Sequence, residues 1–81
     1  MTEKQRKQFS IRLLMACDAR GITPRTLARK IKMDDKSTYN YCYGTLPKVS
    51  TLFNIANALN VSVDYLLGRT DEMEVNHNDA H

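Results

Sequence analysis

At 81 residues and 9.3 kDa, with 42% apolar and 26% charged residues, the chain holds one small domain with its own core and is not a disordered polyelectrolyte. Two cysteines argue against a disulfide scaffold or a four-ligand zinc site, while the charged opening MTEKQRKQFS and the lack of any long apolar run predict neither signal peptide nor membrane span. The net charge of +3 is unevenly divided: residues 1–48 hold eleven Lys/Arg against four Asp/Glu and residues 49–81 one Arg against five acids, so the first part suits a polyanionic partner.

Taken in order, the first predicted helix runs from Gln8 to Arg20. Phe9, Leu13, Ala16 and Arg20 recur at spacings of four, three and four, with Leu14 and Cys17 widening the stripe. Gly21 is placed to end it in the left-handed region. Thr23-Pro24 starts a second helix, the threonine hydroxyl capping it and the proline losing no hydrogen bond at the first position. That helix is predicted to reach Lys32, with Leu27, Ala28 and Ile31 inward. Asp34-Asp35 starts a third over about 35–43, ended by Gly44. About two residues then separate helices two and three, the length of a helix-turn-helix connection. A loop with Pro47 leads into a fourth helix over Val49 to Leu59, with Leu52, Ile55, Ala56 and Leu59 on one face and Asn60 at its end. Lys48 is a poor cap for it. Ser62 caps a short fifth helix, Val63 to Leu67, closed by Gly68. Residues 70–81 are polar and without period. No strand pattern appears, so the fold class is all-α.

Gly21-Ile22-Thr23 followed by Leu27-Ala28-x-x-Ile31, then Gly44, Pro47-x-Val49-x-x-Leu52 and the run from Ile55 to Gly68, resemble the λ-repressor/Cro (Xre-type) helix-turn-helix family. The resemblance covers about residues 9–69. It implies a compact five-helix domain over 1–69 with the helix-turn-helix at helices two and three, and leaves 70–81 as a polar, disordered tail. It further implies a sequence-specific double-stranded DNA-binding transcriptional regulator, a repressor, whose third helix lies in the major groove. That helix then offers Asp35, Lys36, Tyr39, Asn40 and Tyr43 to base edges. Asn40 suits adenine, Lys36 suits guanine or a phosphate, and Asp35 suits cytosine N4. Tyr39 and Tyr43 suit a thymine methyl or a phosphate. Phosphate contacts are expected from Thr23 and Arg25 at the start of helix two, and from Thr45 and Lys48 in the following loop. Tyr65 is expected to be exposed in a homodimer interface, the dimer reading a palindromic operator with half-sites about one helical turn apart.

Several positions depart from the family pattern. Pro24 replaces the usual Gln or Glu, Tyr43 the usual Asn, and Asp34-Asp35 puts two acids where phosphates would lie. Cys17 and Cys42 occupy the places of a frequent Arg–Glu pair, read here as two reduced thiols, with a disulfide as the sharper alternative. Thr38 and Tyr41 stand where the family has apolar residues. No enzyme, metal or cofactor is expected: there is no Gly-rich phosphate loop, no histidine accompanies the cysteines, and His77 and His81 lie in the tail. The expected setting is the cytoplasm. The alternative function is an antitoxin-like or regulator-modulating interaction module with a protein partner and weak DNA binding.

Overall fold

The computed structural model describes residues 3–74, which hold five helices in chain order: α1 (Glu3–Ala19), α2 (Pro24–Lys30), α3 (Asp35–Tyr41), α4 (Val49–Leu59) and α5 (Val63–Leu66). No strand occurs among the described residues, so the all-α, five-helix expectation holds. His77 and His81 lie outside them.

Each helix boundary has a local cause. Helix α1 begins five residues earlier than its apolar period predicts, because Glu3–Lys7 consists of strong helix formers that extend it along the surface. It ends at Gly21, which has φ +69°, and the Ile22 N–H returns to the Cys17 carbonyl at 3.0 Å. Thr23 caps α2 by accepting from the Thr26 N–H at 3.2 Å, with Pro24 at the first position. Helix α2 stops at Lys30, short of the predicted Lys32, since Lys32 takes the left-handed position at φ +58°. The Met33 N–H then closes on the Ala28 carbonyl at 2.9 Å, the same closure that ends α1. Ser62 caps α5 through the Tyr65 N–H at 3.0 Å.

Helix α2 packs on α1, α3 and α4, and α5 closes the far side against α1 and α4. Phe9, Leu13, Leu27, Ile55, Leu59 and Leu66 are fully buried between them. Burying one such side chain contributes roughly 1.5–3 kcal/mol. The apolar stripe of α1 is narrower than predicted: Leu14 is 39% exposed. Arg20 leaves the stripe altogether and donates from Nε to the Leu59 carbonyl at 2.8 Å and from Nη2 to the Asn60 carbonyl at 2.9 Å. A cation thereby satisfies the negative end of α4.

Tyr65 corrects an expectation. It is 2% exposed rather than open to a partner, because α5 presses it against the core and Arg12 covers its ring at 4.6 Å. Among the described residues its hydroxyl has no hydrogen-bond partner. Arg12 also donates to the Thr70 carbonyl at 3.0 Å and pairs with Asp71 at 2.8 Å. Residues 70–74 return along the domain from there: the Ser62 N–H donates to the Met73 carbonyl at 2.9 Å, and Met73 packs on the core. Nothing in the polar composition of this segment announces the return.

One further bond ties the fold to its recognition region. Ser10 of α1, nearly buried, donates to the Tyr41 carbonyl at 3.0 Å and accepts from the Gly44 N–H at 2.8 Å. Ser10→Ala strips both partners at once and is expected to lower stability by about 1–3 kcal/mol, read as a lower denaturant midpoint at unchanged slope. Tyr65→Phe keeps the ring under Arg12 and removes an unpartnered hydroxyl. Its melting temperature is expected to equal or exceed that of the wild type, and a drop would mean the hydroxyl has a partner in solution.

Candidate nucleic-acid interface

Helix α3 is set in place by its own first residues. Asp34 Oδ1 accepts from the Ser37 N–H at 3.0 Å, and the Ser37 hydroxyl first, then this N–H, hold the Asp34 carboxyl below its ordinary value of 3.8. Thr38 is completely buried, and its hydroxyl donates to the Asp34 carbonyl at 3.2 Å, which lets a polar residue take an inward position. With Thr38 and Cys42 turned in and Tyr41 half-buried, the exposed residues of this segment are Asp35, Lys36, Tyr39, Asn40 and Tyr43. These are the five side chains that the sequence reading puts on the base-facing side.

The helix itself ends at Tyr41, two residues before the predicted end, so Tyr43 belongs to the following turn. It still continues the exposed stripe. Its N–H and that of Thr45 both donate to the Asn40 carbonyl, at 3.0 and 3.1 Å, and its ring lies 4.6 Å from that of Tyr39 at 36°. The hydrogen bond and charge of Tyr39 raise the Tyr43 phenol above its usual value. Gly44 turns the chain at φ +109°, where a side chain would be strained, and hands its N–H to Ser10.

Cys17 and Cys42 lie in one core cluster as free thiols, 2% and 3% exposed. Burial first, and then the charge of Cys42, push the Cys17 thiol up to about 11, and burial raises Cys42 as well. Both stay protonated at neutral pH, so they serve as small apolar groups between α1 and the end of α3.

The expected phosphate residues flank this stripe. Thr23 is exposed, with its hydroxyl engaged by Thr26. Arg25 is exposed and stands 3.3 Å from Asp35. Thr45 and Lys48 are exposed on the other side, and Lys48 starts α4 with no side-chain cap, which leaves that helix's first N–H groups open. Sequence reasoning missed Arg6 and Lys7. With Glu3, Ile11, Tyr43 and Gly44 they line a groove of about 440 Å³, and Arg6 also borders a second hollow beside Thr45 and Leu46. The helix-forming composition of 3–7 was the available signal, since it carries α1 past the end of α3.

A family profile described as Helix-turn-helix matches residues 11–66, more than half of the chain. The chain belongs to the Xre/λ-repressor-type helix-turn-helix family and is, by that membership, a DNA-binding helix-turn-helix regulator. No curated protein and no solved structure gives a significant match. Among the described residues, no helix is long and apolar enough to cross a membrane, and no cluster of His, Cys, Asp and Glu could hold a metal ion.

The cap on α3 makes a pH prediction. A carboxyl with a lowered folded value contributes stability that is present above its ordinary value near 3.8 and is lost as pH falls through the folded value. Asp34→Asn retains an acceptor for the Ser37 N–H and does not titrate. Melting series between about pH 2.5 and pH 6 are expected to show wild type losing an increment below about pH 4 that Asp34→Asn lacks. Parallel curves would mean that Asp34 does not cap α3 in solution.

Proposed function

We propose that this protein is a sequence-specific repressor that lays α3 in the major groove of an operator. One observation carries the reading: the exposed side of the α3 segment consists of Asp35, Lys36, Tyr39, Asn40 and Tyr43, while Thr38 and Cys42 anchor its back. Asn40 matches adenine N6/N7, and Lys36 matches guanine O6/N7. The paired Tyr39 and Tyr43 rings offer an apolar surface to a thymine methyl. Thr45, Lys48 and the open N-terminus of α4 take phosphates on one flank, with Arg6 beside them. Thr23 stands at the other flank.

A seven-residue recognition helix spans few base pairs, so a second copy on a palindromic operator supplies the rest of the specificity. A bound dimer represses by occupying the site. It acts on DNA in the cytoplasm, without a cofactor. The second reading, a protein-interaction module, is favoured by Ile11, Leu14 and Met15, which leave an apolar strip of α1 exposed.

Selection of bound duplexes from a random pool tests the first reading. A palindromic motif is expected, with affinity for the selected duplex falling about ten-fold in Asn40→Ala and the preference relaxed at one position of each half-site. Absence of enrichment, with weak and strongly salt-sensitive binding, would overturn it in favour of a protein partner.

A further inference from the structure

Two side chains at the leading edge of this interface hold each other. Arg25 is the second residue of α2 and Asp35 the first of α3, and the turn between the helices brings Arg25 Nε to 3.3 Å from Asp35 Oδ2. Their side chains are 74% and 59% exposed, so the pair contributes little to stability. Its consequence is direction. With Nε its nearest atom to the carboxylate, the guanidinium still presents its two Nη groups as a planar fork, and the exposure of Arg25 leaves them open to a ligand. Asp35 heads the exposed stripe of α3, so the fork is carried at the end of that stripe and not away from it.

Two acceptors in a DNA duplex match such a fork: guanine O6/N7 in the major groove, and a phosphate. The carboxylate decides between them. Seating Arg25 on a phosphate while it stays paired brings the Asp35 charge against the phosphate charge, whereas a neutral guanine edge carries no such repulsion. Asp34 adds a second negative charge at the same end, spent on capping Ser37. We infer that Arg25 is a guanine-reading residue of this interface, and that Asp35 is the positioning residue that holds it across the helix-turn-helix. This rests on α3 being the recognition helix, and it changes the roles that the family resemblance implies for both residues.

The test repeats the random-pool selection with Arg25→Lys, Arg25→Ala and Asp35→Asn beside the wild type, followed by salt titrations on the wild-type winner. The wild-type motif is expected to hold a guanine at one position of each half-site. Arg25→Ala is expected to lose it, with affinity for the winner down about ten-fold. Arg25→Lys separates the fork from the charge: it keeps the wild-type salt slope while the guanine preference weakens, since an ammonium donates to guanine without the fork's fixed two-bond geometry. Asp35→Asn is expected to relax that same position and leave the others in place, which loss of a merely structural contact would not do.

An unchanged motif in Arg25→Ala, with every duplex weakened alike and the salt slope smaller by about one, would make Arg25 a phosphate anchor and overturn the inference. Relaxation at a different position in Asp35→Asn would equally overturn the pairing. A wild-type protein that enriches no motif would remove the reading of α3 and this inference with it. A wild-type motif indifferent to all three variants would remove this inference alone. Melting temperatures within about 2 °C of wild type are expected for these exposed substitutions, so a change in the motif reports recognition and not unfolding.

Discussion

The interface depends on how α3 is held at its two ends. A seven-residue helix is far too short to be stable alone, and only Thr38 of its residues is buried. Its orientation is therefore set by polar bonds to its termini more than by a face of its own. At the front, Asp34 caps Ser37 and receives the Thr38 hydroxyl on its carbonyl. At the rear, one hydroxyl from α1, that of Ser10, takes the Tyr41 carbonyl and the Gly44 N–H together. Cys42 fills the space beside it without bringing in a charge that would need desolvation. With both ends fixed and the back buried, the outward side chains need little reordering when they meet a ligand.

The electrostatics of the chain follow the same division. Two of the basic residues in the first half are consumed by the fold: Arg12 goes to Tyr65, Thr70 and Asp71, and Arg20 goes to the end of α4 and to Glu74. Their acidic partners come from residues 70–74. The charge asymmetry between the two halves is thus partly internal, because acids from the second half neutralise arginines away from α3. The acids at the start of α3 are occupied as well, one as a cap and one with Arg25. Arg6, Lys36 and Lys48 remain exposed without an ion-pair partner among the described residues, along the stripe and its flanks.

Much of this was legible in the sequence, for reasons that are local. Thr23-Pro24, Asp34, Asn60 and Ser62 mark helix ends by their own hydrogen bonding and backbone preference, and each marks one here. The exposed stripe of α3 is what the family resemblance implies, and the residue types at Asp35, Lys36, Tyr39, Asn40 and Tyr43 agree with it. What the sequence concealed is long-range. Ser10 looks like any polar residue on a helix until Gly44 arrives beside it, thirty-four positions along the chain. Tyr65 is expected to be exposed, and only the arrival of Arg12 from α1 shows that its ring is covered. The early start of α1 escaped because residues 3–7 have no apolar period, although their propensity favours a helix.

These long-range ties converge on α1 and its C-terminal end. Successive turns of this one helix reach distant parts of the structure, Ser10 the end of α3 and Arg12 the α5 region and residues 70–74, while Arg20, just past its last residue, reaches the end of α4. Its first turns carry Arg6 and Lys7 past the tip of α3. In the proposed docking, α3 is therefore backed by α1 through Ser10 as well as by α2. The same connection relates phosphate contact to base contact. In the proposed docking, a phosphate near Arg6 and Thr45 would fix α1 and the 44–48 loop against the backbone, and the Ser10 bonds of 2.8 and 3.0 Å join that region to the end of α3. On that proposal, loss of the Ser10 hydroxyl would cost register at the bases as well as stability, because it unties the helix that carries Arg6 from the segment that carries Asn40 and Tyr43.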